Sequence, residues 1–323
     1  MRRREFIALV GGAFGWPFVA RGQTPDQVSR VAVISPSQSS IDAFRSIVLP
    51  ELAQRGFVEN RDLAITTHVG LPAQIPELAR EALAARPDVV VATSDPAILA
   101  IKAASPTVPI VMSFIGGDPI GLGLAQTLAR PGGSVTGIWM LAHDLDAKRL
   151  LLLHEAVPSA RRIAILAMRP PSHVDTINNM KRIMHGLGLE AHVHFADKAT
   201  DYAAAFAGMH AAGVEALVIP SSTVFYRDVA TLSRMALEAN LPTVCEWASM
   251  AHAGCLIGHG PNLVELRLRV ADHVARILRG TPPGDLPIEQ PTVFEFAINL
   301  KTAKALGLSV SATLLARANE VIE

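Results

Sequence analysis

Past residue 28 the chain alternates two hydrophobic rhythms. Short runs of β-branched and aliphatic residues, beginning with Arg30-Val-Ala-Val-Ile-Ser35, are each followed by a stretch in which apolar residues recur every three or four positions. The first rhythm predicts strands and the second predicts amphipathic helices. Strands are expected at 30–35, 64–69, 88–93, 109–114 and 135–140, with helices over 42–57, 75–85, from 96 onward and over 119–130. The strand at 88–93 is apolar along its length, as a strand covered on both faces must be. The helix after it opens on Pro96, with Asp95 as a favourable N-cap. Strands and helices in strict alternation imply a parallel, doubly wound sheet.

The pattern then restarts. Arg162-Ile-Ala-Ile-Leu-Ala167 repeats the character of the first strand, and further strands are expected at 190–195, 215–220 and 242–246. The spacing from Arg30 to Pro109 nearly recurs from Arg162 to Pro242. Two Rossmann-like α/β lobes follow. Ligands of open α/β sheets sit beyond the carboxyl ends of the strands, so two such lobes facing each other make a cleft that closes by hinge motion.

Residues 1–22 fit neither rhythm. Arg2-Arg-Arg4 precedes an apolar stretch from Phe6 to Ala20, then Arg21 and Gly22. This is the order of a secretory signal, with cleavage expected after Gly22. Its apolar stretch is interrupted by glycines and Pro17, too short and too broken to span a membrane. Arg3-Arg4-Glu5-Phe6 also resembles a twin-arginine export signal. An uncleaved N-terminal anchor is the alternative. Over the whole chain 29 basic residues balance 29 acidic ones. Without residues 1–22 the acidic residues predominate, so a nucleic-acid partner is not expected.

What the turns lack argues against several chemistries. The first strand leads into Ser35-Pro-Ser-Gln-Ser-Ser40, without the glycines a dinucleotide turn needs. There is no phosphate-binding P-loop and no G-x-S-x-G nucleophile elbow. A two-lobe racemase would need one thiol per lobe, but Cys245 and Cys255 both lie in the second half. Those two cysteines either pair, in an oxidising compartment, or sit as small buried apolar residues. His192 and His194 share one strand face without an evident third ligand, so no metal and no cofactor is expected.

What remains is a set of small polar turns at the strand ends. In the first lobe these are Ser35-Pro-Ser37, Thr93-Ser94-Asp95 and Gly116-Gly-Asp118-Pro119; in the second, Met168-Arg169-Pro170, Ser221-Ser222-Thr223 and Glu246-Trp247. Helix N-termini there suit a ligand carboxylate. Asp118 or Glu246 would accept from an ammonium group, and Phe114, Phe225 and Trp247 would form apolar walls. Asp95, Asp118 and Ser222 serve equally well as helix caps that need no ligand.

The C-terminal stretch Leu286-Pro-Ile-Glu-Gln-Pro-Thr-Val-Phe-Glu-Phe-Ala-Ile-Asn-Leu-Lys-Thr-Ala-Lys-Ala-Leu-Gly-Leu308 resembles the tail of the ABC-transporter substrate-binding proteins of the tryptophan/tyrosine type. So do Gly117-Asp-Pro-Ile-Gly121, Leu128-Ala-Arg-Pro-Gly-Gly-Ser-Val-Thr-Gly137 and Leu314-Leu-Ala-Arg-Ala-Asn-Glu-Val-Ile322. The resemblance implies a type I periplasmic-binding-protein fold with three hinge crossings. Its lobes would comprise residues 29–140 with 256–284, and 141–255 with 285–323. It implies a non-enzymatic, monomeric periplasmic receptor that delivers an amino acid or an aromatic or aliphatic carboxylate to an ABC permease in the inner membrane. The alternatives are a ligand sensor for a membrane signalling partner, which would share the fold, and a two-lobe enzyme such as a racemase. By position, the ligand contacts would be Ser37, Ser94, Asp118, Ser222, Glu246 and His259, with Phe225 as a wall. Many members read Asn-Pro-Ala-Asn where this chain has Met168-Arg-Pro-Pro171. Arg169 in the cleft would pair bidentately with a carboxylate; the alternative is an outward-facing surface residue.

Overall fold

The computed structural model describes residues 28–140, 142–169 and 173–323. The expected signal at 1–22, and Pro170 and Pro171, lie outside the described residues. Two sheets form from the two halves of the pattern. The first contains β1 (Ser29–Ser35), β2 (Leu63–Val69), β3 (Val89–Ala92), β4 (Ile110–Ile115) and β5 (Val135–Trp139). The second contains β6 (Arg162–Ala167), β7 (Glu190–Phe195), β8 (Ala216–Ile219), β9 (Thr243–Cys245) and β10 (Ile257–Pro261). Three late strands, β11 (Ile288–Glu289), β12 (Phe294–Asn299) and β13 (Glu320–Ile322), complete the edges.

The first sheet runs β11-β5-β4-β3-β1-β2 and the second β13-β12-β10-β9-β8-β6-β7. Every pairing in the first is parallel. In the second only β10 and β12 run antiparallel. Alternation along β1 shows why both faces are covered. Val31 and Val33 join a core beneath the helix Leu263–Leu278, while Ala32 and Ile34 join another beneath the helices Ile75–Ala84 and Asp95–Ala104. Burying one such aliphatic side chain stabilises the fold by roughly 1.5–3 kcal/mol.

The chain crosses between lobes three times. The first crossing lies between Trp139 and the helix Ala142–Ala156. The second comes later than 256. β10 pairs with β9 and with β12, so it belongs to the second sheet and the chain leaves that lobe only after Pro261. The third comes later than 285. β11 pairs with β5, and Thr136 Oγ1 donates to Leu286 O at 2.9 Å, which keeps this segment in the first lobe.

Two helices differ from expectation. The first starts at Gln38 and widens into a π-turn over Phe44–Val48 before Leu49–Gln54. No helix forms over 119–130, which runs as turns. Glycines at 121 and 123 and Pro131 with Gly132 interrupt it, and Gly123 sits at φ +66°. Cys245 and Cys255 form a disulfide that ties the end of β9 to the loop before β10.

Candidate functional site

The carboxyl ends of the central strands of both lobes surround a cavity of about 270 Å³. Ser37, Ser39 and Ser40 follow β1, Thr93 follows β3, and Ser113, Phe114 and Gly116 come from the end of β4. The second lobe adds Arg149, Ser221, Ser222, Tyr226, Glu246 and Trp247, and Leu263 and Arg267 come from the return helix. In each sheet the lining lies near the point where strand order reverses, between β1 and β3 and between β6 and β8. The volume is at the small end for ligand sites. It is of the order a small molecule needs.

Phe114 reaches the cavity because β4 is irregular. The pairing with β5 shifts between Met112 and Ile115, and Phe114 adopts φ +64°. A bulge of this kind re-aims a side chain next to a site. The left-handed conformation costs a bulky residue roughly 1–2 kcal/mol. Just before the shift Met112 pairs with Gly137, where a Cβ would lie 2.3 Å from Met112 O, so only glycine permits the approach. The Arg267 guanidinium lies over the Phe114 ring, 5.5 Å from its centre. Burial disfavours the charged form of Arg267, and Tyr226 nearby offsets this in part.

Arg149 occupies the opposite wall and is 1% exposed. Its Nε donates to His259 O at 2.8 Å, its Nη2 to Glu246 O at 3.0 Å, and its Nη1 to Asp146 Oδ1 at 3.0 Å. One side chain thereby fixes the ends of β9 and β10. Glu246 is 5% exposed, and its Oε1 accepts from Ser221 Oγ at 2.5 Å. Burial pushes its carboxyl above the usual range. The Arg149 guanidinium and hydrogen bonds from Ser221 and Trp247 oppose that push, and Asp146 adds to it.

Of the residues expected from sequence, Ser37, Ser222 and Glu246 line the cavity. Ser37 Oγ hydrogen-bonds Ser39 Oγ at 2.6 Å. Ser222 caps the helix Thr223–Arg227, accepting from Val224 N and Phe225 N, which commits its hydroxyl to the fold.

The other five lie elsewhere. Ser94 stands at the start of the helix Asp95–Ala104, outside the lining, and its hydroxyl makes no cap bond. The neighbouring Asp95 is not the N-cap; its Oδ2 accepts from Gly117 N at 3.2 Å, and burial raises its pKa. Asp118 is exposed, lies outside the lining and closes its own turn by accepting from Ile120 N. Arg169 points outward. Its guanidinium pairs with Asp197 and with Asp201, both surface partners that the sequence pattern does not reveal. Phe225 is 0% exposed and packs edge-on against His173, because the next helical position, Tyr226, turns toward the cavity instead. His259 is held on β10 between Phe294 and Phe296, with its ring Nδ1 bonded to Glu295 O. It serves the site only through its carbonyl on Arg149.

Sequence reasoning missed Arg149, Arg267 and Tyr226. The two arginines carried a readable signal. Arg149 falls in line with Leu145 and Leu153, and Arg267 with Leu263 and Ala271, at helical i±4 spacing. An arginine inside an apolar stripe is rare without a buried partner or a ligand.

Known proteins share this fold. The family model for "ABC transporter substrate binding protein" matches residues 30–322. The chain is 24% identical over 226 residues to the tyrosine-binding protein of Clostridioides difficile (strain R20291). That match covers 68% of this chain and 63% of the relative, so the chain spans less than two thirds of that protein's length. Among solved structures, a conserved domain protein from Vibrio cholerae O1 biovar El Tor strain N16961 gives a TM-score of 0.83 at 25% identity. The match covers 91% of this chain and 100% of that one. An ABC domain in complex with L-Trp from Streptococcus pneumonia gives 0.81 at 22% identity, covering 91% and 99%. A type 1 periplasmic binding protein from Bordetella pertussis Tohama I gives 0.57 at 12% identity, covering 84% and 96%, which extends the likeness of fold to that class.

Proposed function

This chain belongs to the ABC transporter substrate-binding protein family, and from that premise we propose that it is the periplasmic receptor of an ABC importer. Its lobes close on an amino acid or an aromatic or aliphatic carboxylate and present it to the permease. The family is one of solute-binding components, not enzymes.

The observation that carries this reading is the cavity between the lobes. Hydroxyls of Ser37, Ser39, Ser40, Thr93 and Ser113 and a guanidinium face it, and Phe114, Tyr226 and Trp247 wall it. A small, mostly apolar pocket with a few convergent polar groups fixes and orients one small molecule. The relatives named for tyrosine and L-Trp support a ligand of this size. Export to the periplasm is supported by the signal-like order of residues 1–22 and by the Cys245–Cys255 disulfide, which needs an oxidising compartment to persist. The receptor acts as a monomer.

The test is a thermal-shift screen of amino acids and small carboxylates on the protein lacking residues 1–22, followed by calorimetry and uptake in a deletion strain. A ligand at about 100 times its Kd stabilises the folded state by about 2.7 kcal/mol. If no solute raises the melting temperature, or the deletion strain takes up the binding solute normally, the receptor reading fails.

A further inference from the structure

We propose that the cleft selects a compact carboxylate that lacks an ammonium group, and that Arg267 is the residue that holds the carboxylate. This rests on the receptor reading above and narrows it to one of its two ligand classes.

The charges on the cavity wall do not balance. Arg149 and Arg267 are the cations that line it, and Glu246 is the carboxylate. Arg149 is largely committed: three of its five N–H groups go to the carbonyls of Glu246 and His259 and to Asp146, and it is 1% exposed. Arg267 is not. Among the described residues its one hydrogen bond is a 3.4 Å contact from Nη1 to Leu263 O, one turn back on its own helix. A guanidinium has five N–H donors in a planar fork that matches a carboxylate. Here the fork stands over Phe114, half-buried at the cavity wall, with its donors largely unused. An anion entering the cleft supplies the missing partner.

An amino acid would also need an acceptor for its ammonium group, and the cavity offers a poor one. Asp118, the acid that sequence would assign to that task, is turned away. Glu246 already takes the Ser221 hydroxyl at 2.5 Å and lies beside Arg149, whose charge offsets its own. Burial also favours its neutral form. A zwitterion would desolvate its ammonium without gaining a free counter-charge, which is costly in a dry site. A deaminated acid meets no such cost. The remaining lining of Val33, Val91, Leu145, Tyr226 and Trp247 suits an apolar or aromatic body.

Matched ligands test this by calorimetry. The pairs are 3-phenylpropionate against L-phenylalanine and indole-3-propionate against L-tryptophan. The deaminated acid of at least one pair is expected to bind about tenfold or more tightly than its amino acid. Arg267→Gln should weaken that acid by at least about tenfold while keeping the wild-type melting temperature. Arg267→Lys keeps the charge but loses the fork and should fall between the two. An amino acid that binds as tightly as its deaminated partner overturns the inference and leaves the receptor standing. So does an unchanged affinity of the bound acid for Arg267→Gln. If neither series binds, the inference fails, while the wider solute screen judges the receptor reading separately.

Discussion

Replacing Arg149 by methionine keeps much of the side-chain volume and removes the charge from a site where it is 1% exposed. Three bonds go at once. The carbonyls of Glu246 and His259 lose their donors, and Asp146 loses the cation 3.0 Å away. Deleting one partner of a buried ion pair costs about 3–5 kcal/mol, most of it from the charge left behind. Urea unfolding followed by circular dichroism measures this. With a slope of about 3 kcal/mol per molar urea, the midpoint should fall by roughly 1–1.7 M. Pairing the change with Asp146→Asn separates charge from the carbonyl bonds. The double variant should be less destabilised than the sum of the two single changes, because it strands no carboxylate. A midpoint for Arg149→Met that matches wild type would refute the view that this residue clamps β9 to β10. A double variant equal to the sum of the singles would refute the ion-pair account of the cost.

Two further outcomes follow from the same geometry. Phe114→Asn relieves a left-handed bulky residue, so it should cost about 1–2 kcal/mol less stability than Phe57→Asn, a half-buried phenylalanine under Arg279 without positive φ, while weakening ligand binding in calorimetry; equal losses would show that no strain is stored at the bulge. Burial lowers the pKa of His173, whose Nδ1 accepts from Met168 N while its Nε2 donates to Ser221 O, an arrangement that only the neutral ring can make. The folded state therefore binds fewer protons than the unfolded one below pH 6.5, and this contribution is complete above that pH and lost as the pH falls toward the depressed value. Melting temperatures from pH 7.5 to 5.5 should drop more steeply for wild type than for His173→Gln, even though Glu246, with its raised pKa, pulls the other way; identical slopes would remove His173 from the account.

The backbone was far more legible in the sequence than the site. β6 and β7 have the bounds that alternation predicts, because strand cores are set by runs such as Ile163 to Ala167. The false helix at 119–130 came from weighing apolar spacing over Gly121, Gly123 and Pro131. The crossings shifted because hydrogen-bond pairing decides lobe membership. Nothing local marks Ile257 or Ile288 as belonging to one sheet or the other. In the site, turns flagged Ser37, Ser222, Glu246, Phe114 and Trp247 as strand-end residues. Which neighbours face the ligand is a matter of rotation. Phe225 and Tyr226 are adjacent on one short helix, and only the packing against His173 separates wall from core. Arg169 and Arg149 show the same limit from the other side. The arginine in a polar turn went to surface acids, and the arginine in an apolar stripe went to the cleft.

The outermost strand of the first sheet is made of Ile288 and Glu289, although every other strand of that sheet is finished by Trp139. As the chain emerges during synthesis, the edge of β5 stays bare, and the face later covered by Leu263–Leu278 stays open, until nearly the whole second lobe has been made. A bare parallel edge is a template for pairing with another chain. The first lobe is thus best kept unfolded, or guarded, until the last quarter of the polypeptide arrives. The same interleaving means that a single cut at any crossing yields two incomplete pieces, and joining the ends does not help, because the four segments alternate between the lobes all the way round the closed chain.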